Sequence, residues 1–151
     1  MTQAVVLDSG PLGLLTAPPR RPEARACSHW LADLVTAGFR VVIPEITDYE
    51  LRRELLRAGK NASVQRLDAL AQATEYMPIT TAVMRRAAEL WAQARKQGQP
   101  TAADNTIDVD IILEAQALEL GTPNIVIATT NVGHLIRLVP AKRWQDIAIQ
   151  V

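Results

Sequence analysis

The chain has 151 residues, of which 48% are hydrophobic and 21% are charged, and its 16 basic residues balance its 16 acidic ones. This is the composition of an ordinary globular protein, so we expect one domain spanning residues 1–151, located in the cytoplasm. A neutral chain without an apolar run of ~18 residues has neither a strong overall attraction to nucleic acid nor a membrane span, and its single cysteine excludes an intrachain disulfide and a thiolate zinc cluster.

Strands and helices are predicted to alternate along the chain. In chain order we expect a strand at 5–8, helices at 23–37 and 47–57 on either side of a strand at 41–43, a helix at 63–74, a strand at 76–79, helices after Thr80 and at 107–120, and strands at 125–128 and 147–151. Ser63 and either Thr80 or Thr81 are expected to cap helices. This order predicts a parallel sheet with helices on both faces.

Four polar side chains lie where such a sheet keeps its ligand sites. Asp8 ends the first strand, Glu50 follows the second strand and Asn131 follows the fourth. Because the carboxyl ends of neighbouring strands open onto one crevice, we expect these residues at one rim, with Asp110 joining them from the preceding helix. Carboxylates at close range repel one another unless a cation lies among them, and oxygen ligands suit Mg²⁺ or Mn²⁺.

Most of these residues also have a purely structural explanation. Asp8 and Asn131 are common helix caps, while Glu50 is the fourth residue of Thr47-Asp48-Tyr49-Glu50, where its side chain can close a capping box.

Asp110 and Asp108 compete for the same role. The helix dipole alone favours an Asp near a helix N-terminus. However, the helix that carries Asp110 is apolar on nearly every side, so an acid at this position suggests a functional role. Two positions on a helix differ by roughly 200°, so only one of the two acids faces the crevice. We expect it to be Asp110, because Glu114 continues its helix face and is placed to flank the site.

With these residues in view, the chain resembles the PIN-domain proteins, small α/β metal-dependent ribonucleases that include the VapC-type toxins of toxin–antitoxin pairs. The similarity covers nearly the whole chain. It rests on Asp8 in Val-Val-Leu-Asp-Ser-Gly-Pro-Leu, Glu50 in Ile-Pro-Glu-Ile-Thr-Asp-Tyr-Glu-Leu, Asp110 in Asp-Ile-Ile-Leu-Glu-Ala-Gln-Ala-Leu and Asn131 in Thr-Thr-Asn. The resemblance implies a PIN-like three-layer α/β/α fold with a central parallel sheet of four to five strands.

The resemblance also implies a divalent-metal-dependent ribonuclease that uses Mg²⁺ or Mn²⁺. Its catalytic residues would be Asp8, Glu50, Asp110 and Asn131, with the first three as metal ligands. The family often has Asp where this chain has Asn131, so one firmly held ion is the expectation. A small antitoxin is the implied partner, and apolar residues on the helices after Ser63 and Thr80 suggest a homodimer.

An RNA substrate needs positive charge or hydroxyl donors at the rim of the acidic crevice. Arg52, Arg53 and Thr130 are the expected contacts. The alternative is a non-catalytic PIN-like module that binds RNA or a protein, for which Asn131 is the supporting feature. A phosphatase or a receiver domain fits less well, because Asp-Ser-Gly after the first strand lacks the second acid of Asp-x-Asp.

Overall fold

The computed structural model describes residues 3–98, 104–134 and 138–149, except for the side chains of residues 104–107 and 134. The strands in this part of the chain are β1 (Ala4–Leu7), β2 (Arg40–Pro44), β3 (Glu75–Met77), β4 (Ile125–Thr129) and β5 (Ala141–Arg143). They form one sheet of five strands in the order β3-β2-β1-β4-β5, and every pairing is parallel.

Two helices connect each of the first three strands to the next one. They are α1 (Ser9–Thr16), α2 (Pro22–Thr36), α3 (Glu45–Arg57), α4 (Asn61–Ala73), α5 (Thr81–Lys96) and α6 (Asp104–Leu118). Among the described residues, no helix is both long and apolar enough to cross a membrane.

The central strand β1 is buried on both faces. Val5 and Leu7 pack into a core formed with α1, α2 and α4, whereas Ala4 and Val6 pack into a second core formed with α3 and α6. Successive residues of a strand point to opposite faces, so one short apolar run joins two helix layers. This arrangement confirms the predicted PIN-like α/β/α fold with a central parallel sheet.

The predicted fifth strand is wrong. The edge strand is Ala141–Arg143, where Ala141 pairs with Ile127 of β4. Ile147 is buried, but it follows a 3₁₀ turn at Trp144–Asp146 and its side chain packs into the α1–α2 core. Its apolar character therefore reflects core packing, whereas the true edge strand exposes Lys and Arg, as edge strands commonly do. Residues 150–151 lie outside the described residues.

Two of the predicted helix caps are also wrong. Helix α3 begins at Glu45, immediately after β2, so Thr47 lies inside its first turn and is 2% exposed. The capping-box explanation for Glu50 therefore does not hold. Ser63 likewise lies inside α4, which begins at Asn61. Thr80 is confirmed as the cap of α5, since its hydroxyl oxygen accepts the backbone N–H three residues later at 3.1 Å.

The contact between α1 and the end of β4 depends on a glycine. A Cβ added to Gly10 would meet the Thr130 side chain, with the Thr130 Cβ at 2.9 Å, whereas a Cβ on Gly13 of the same helix would lie 3.7 Å from Leu51. We expect Gly10→Ala to lower the free energy of unfolding by about 1–3 kcal/mol through overpacking. Gly13→Ala should raise it by about 0.5–1 kcal/mol, because Ala favours helix.

Urea unfolding of the two variants beside the wild type measures both effects. Since the two substitutions add the same methyl group to the same helix, equal stability of the variants would contradict the close approach at Gly10.

Candidate active site

The crevice of the sheet lies between β1 and β4, where the strand order reverses. Asp8 directly follows β1, and its backbone N–H donates to the carbonyl oxygen of Ala128 at 2.9 Å. Thr129, the last residue of β4, donates its hydroxyl to Oδ2 of Asp8 at 2.9 Å. In open α/β sheets ligands bind at this switch point, so Asp8 occupies the position from which a bound group would be contacted.

The half-buried Asp8 carboxylate also caps helix α1. Its Oδ1 accepts the backbone N–H of Ser9 at 2.7 Å, which caps α1. The cap and the Thr129 hydroxyl hold the carboxylate in one orientation.

The pKa of Asp110 depends on two of the other predicted acids, Asp8 and Glu50. Burial and, after it, the negative charges of Asp8 and Glu50 together raise the pKa of Asp110 to about 7 from the usual 3.8. A like charge nearby disfavours ionisation, so the fold brings Asp8 and Glu50 close enough to Asp110 for electrostatic repulsion.

Asp108 lies on another face of α6. It is exposed and lines a cavity of about 560 Å³ between α5 and α6, together with Trp91 and Ile112. The roughly 200° between the two positions on the helix accounts for this separation from Asp110.

The three carboxylates suit a divalent cation by chemistry and charge. Oxygen donors from Asp8, Glu50 and Asp110 are the ligands that Mg²⁺ and Mn²⁺ prefer, and a cation between them would relieve the repulsion that raises the pKa of Asp110. Within the described part of the chain, no three His, Cys, Asp or Glu side chains stand at ligand spacing from one common point. Mutual repulsion opposes such closure, so the donors fit the ion in type and charge without forming a closed cage.

Asn131 forms hydrogen bonds with residues of the turn in which it lies. Its Oδ1 accepts the backbone N–H of Gly133 at 3.0 Å, and its own backbone N–H donates to the hydroxyl of Thr129 at 3.2 Å. This is the capping arrangement that the sequence offered as the structural alternative. The β4 side chain that bonds to the Asp8 carboxylate is that of Thr129. The sequence predicts the neighbouring Thr130 as the substrate contact, and Thr130 is exposed.

The two predicted arginines have different surroundings. Arg52 donates to Asp48 through Nε at 2.7 Å and to Asp68 through Nη2 at 2.7 Å, so its guanidinium bridges α3 and α4. Arg53 is exposed, and its guanidinium lies 5.1 Å from the ring centroid of Tyr49.

A groove of about 840 Å³ runs from the rim between α1, α3 and α4. Gly10 and Thr130 stand at its edge, beside the Asp8 crevice. The basic side chains along it are Arg21, Arg57, Lys60 and Arg66, and they outnumber the acidic Glu23 and Glu54, of which Glu54 pairs with Arg57 at 2.8 Å. A polyanion approaching the acids along this groove would therefore meet positive charge.

Glu114 is more deeply buried than the sequence suggested. Its side chain is 0% exposed, and its pKa is raised to about 8 from the usual 4.5, chiefly by burial. Within that net shift, the backbone amides of Leu138 and Val139 lower the pKa without completing a hydrogen bond of good geometry, while the negative charges of Asp110 and Asp8 raise it. An acid inside the apolar stretch that ends α6 was the sequence signal for this residue.

Comparison with known proteins identifies one family and several similar structures. The family model of the PIN domain matches residues 5–132. The structure of VapBC-1 from nontypeable Haemophilus influenzae is similar, with a TM-score of 0.66 and 20% identity, covering 95% of this chain and 100% of that chain. VapBC2 from Rickettsia felis, bound to a DNA fragment from its promoter, has a TM-score of 0.69 and 14% identity, covering 94% and 99%.

FitAcB from Neisseria gonorrhoeae is a further similar structure, with a TM-score of 0.60 and 19% identity, covering 95% of this chain and 99% of that chain. No curated protein matches the sequence significantly. At these identities the structural similarities establish the fold, and the family model establishes the family.

Proposed function

This chain belongs to the PIN domain family, and from that premise we propose that it is a divalent-metal-dependent ribonuclease that hydrolyses RNA phosphodiester bonds. The observation that carries the proposal is that Asp110, whose pKa is raised first by burial, is also acted on by the negative charges of Asp8 and Glu50 at the switch point of the sheet. These three residues are the proposed ligands of one Mg²⁺ or Mn²⁺ ion. When bound, such an ion activates water at neutral pH and neutralises charge on the phosphate.

The protein residues then have separate roles. Asp8 is held in position by Ser9 and Thr129, which lowers the entropy that binding must offset. Glu50 is half-buried, and no structural cap competes for its carboxylate. We assign Glu50 to accept a proton from the attacking water. The water oxygen then bonds to phosphorus while the bond between phosphorus and the leaving sugar oxygen breaks. Asn131 would contact the substrate through its amide N–H₂, since its Oδ1 already accepts from Gly133.

The groove between α1, α3 and α4 is the proposed path of the RNA. Its basic side chains and the nearby hydroxyl of Thr130 supply phosphate contacts at the rim of an acidic site. Arg52 is also proposed as a substrate contact, through guanidinium N–H groups that do not bond to Asp48 or Asp68. Arg53 is proposed as a second contact because its side chain is exposed. Contacts of this kind position the strand without reading its sequence.

Arg53 offers the cleaner test of phosphate binding, because replacing Arg52 would also break its bonds to Asp48 and Asp68. We expect Arg53→Gln to weaken RNA binding and to reduce the slope of log affinity against log salt by about 0.7, as expected for one single-strand phosphate contact. Binding by a metal-free, non-cleaving Asp110→Asn background, measured at several salt concentrations, provides the slope.

Arg85→Gln is the matched control for Arg53→Gln. It removes the same charge from an exposed position on α5, a helix that contributes no residue to the groove lining, whereas α3 contributes several, and it should leave the slope unchanged. Equal slopes for both variants would remove Arg53 from the interface.

The similar structures are VapBC and FitAcB assemblies. On that basis we include in the proposal a role as the toxin of a type II toxin–antitoxin pair, with a small antitoxin as partner. A homodimer is also proposed, because Met84 and Trp91 lie seven residues apart on α5 and are 46% and 42% exposed. Side chains at that spacing share one helix face, and large exposed apolar residues favour an interface.

Cleavage of a fluorogenic RNA tests the proposed activity. The protein is unfolded and refolded to strip any bound partner, and rates are compared in Mg²⁺, Mn²⁺ and EDTA. Cleavage in either metal that EDTA abolishes is the expected result. RNA binding without cleavage, in a protein that binds no metal, would favour the non-catalytic module. The specific observation for that alternative is the engagement of Asn131 in its own turn.

A further inference from the structure

Two polar side chains of α6 are completely buried, and only one has partners. Gln116 accepts the backbone N–H of Ile46 at 3.1 Å and donates to the carbonyl oxygen of Met77 at 2.8 Å. Glu114, two positions earlier, is equally inaccessible, and neither carboxylate oxygen completes a hydrogen bond among the described residues, although the backbone amides of Leu138 and Val139 lie near enough to lower its pKa. A buried carboxylate without compensation is strongly unfavourable, so a fold that carries one usually provides a positive charge or donors when it works.

The position of Glu114 points to the acid site. It lies four residues after Asp110, and residues at that spacing are neighbours on one helix face. The charges of Asp110 and Asp8 both act on its carboxyl, in the direction that disfavours ionisation. In the part of the chain that the structure describes, no Lys or Arg pairs with it. The two nearby amides complete no hydrogen bond with it, so the ionised form of Glu114 would need a cation, and the side from which Asp110 and Asp8 act on it is where a cation would lie.

At the end of β4, the described residues supply an amide in place of a carboxylate. Asn131 stands there, is uncharged, and uses its amide oxygen for Gly133. The acids Asp8, Glu50 and Asp110 carry three negative charges at most, and Glu114 behind them adds a fourth only when it ionises, which a nearby cation would favour.

We propose that Glu114 is a fourth carboxylate of the divalent-cation site, facing the ion from the protein interior, and that the ion is the charge that compensates its burial. This inference rests on the proposed function, because it takes the ion to lie among Asp8, Glu50 and Asp110. It assigns to the interior of α6 a ligand that the rim of the sheet does not supply.

Calorimetric titration of Mn²⁺ into the full chain tests the assignment. Glu114→Gln keeps the size of the side chain and removes its charge, and we expect it to weaken Mn²⁺ binding by about 10- to 100-fold. Glu119→Gln is the control. It removes the same charge just beyond α6, where Glu119 is exposed and its nearest cation is Arg86 at 3.9 Å. The control should bind Mn²⁺ within about twofold of wild type, because exposed charges are screened.

A melting curve in EDTA separates metal binding from packing. Glu114→Gln should melt at or above the wild-type temperature, since it removes a buried acid without a partner. A residue with a structural role alone would change the melting temperature in EDTA and leave the Mn²⁺ affinity unaltered. If Glu114→Gln does not fold, Glu114→Met, which is apolar and of similar length, is judged by the same two measurements.

The outcomes distinguish this inference from the function on which it rests. Wild-type affinity in Glu114→Gln, together with loss of binding in Asp110→Asn, would overturn the role of Glu114 and leave the three-carboxylate site in place. Absence of Mn²⁺ binding by the wild type would overturn both. Weakened binding in Glu114→Gln with a normal Glu119→Gln supports the fourth carboxylate.

Discussion

Asp110→Asn is expected to lower the rate of metal-dependent RNA cleavage by more than about 100-fold, because residues outside a metal's ligand shell already cost 10- to 100-fold when replaced. The substitution keeps the shape of the side chain and removes the charge that shares a field with Asp8 and Glu50. Initial rates at a fixed Mn²⁺ concentration measure the effect.

The matched control is Asp108→Asn. It lies on the same helix, two positions away, but is exposed on the α5 side and should keep most of the activity. A larger loss in Asp108→Asn than in Asp110→Asn would reverse the assignment of the two acids.

The same Asp110→Asn substitution is expected to stabilise the metal-free protein at neutral pH. The pKa of Asp110 is about 7 in the folded protein and near 3.8 when unfolded. Between these values the folded state holds a proton that the unfolded state has released, so this group makes the wild type less stable as the pH rises through that window. Asn does not titrate, so the variant lacks this loss.

The two proteins should therefore differ little at pH 4 and by about 2 kcal/mol at pH 8. That figure is below the roughly 4 kcal/mol that three pKa units represent, because the side chain is only partly buried. Urea unfolding in EDTA at both pH values provides the measurement, with Asp108→Asn as the reference. An Asp110→Asn protein that is less stable than wild type at pH 8 would contradict the raised pKa that burial and the two neighbouring acids give Asp110. A variant that is both inactive and more stable has not lost activity by unfolding.

The sequence predicts most of the sheet because its inner strands are short, continuous apolar runs. Val5 to Leu7, Val41 to Ile43 and Ile125 to Ala128 are short apolar runs rich in Val and Ile, which are typical of a strand buried on both faces. The edge strand Ala141–Arg143 lacks that signal, because one side of it meets solvent. The sequence also could not show that α3 begins two residues before Thr47, since Pro44 leads directly from the strand into the helix.

The predicted site follows from the strand ends, and its details depend on contacts made across the fold. The order of Asp8, Glu50 and Asp110 along the chain indicates a common crevice once a parallel sheet is assumed. The pairing of Arg52 with Asp68, 16 residues away, depends on how α3 packs against α4. The isolation of Glu114 is a property of burial, which a sequence gives only as an acid in an apolar stretch.

The central claim is that the acids at the switch point bind a divalent cation, and a Mn²⁺ titration of wild type against Asp8→Asn/Asp110→Asn tests it most directly. This measurement does not depend on knowing the RNA target. The account predicts saturable binding by the wild type and none by the double variant, with the variant still folded by its melting curve. Binding of equal affinity by both proteins, or by neither, would contradict the account.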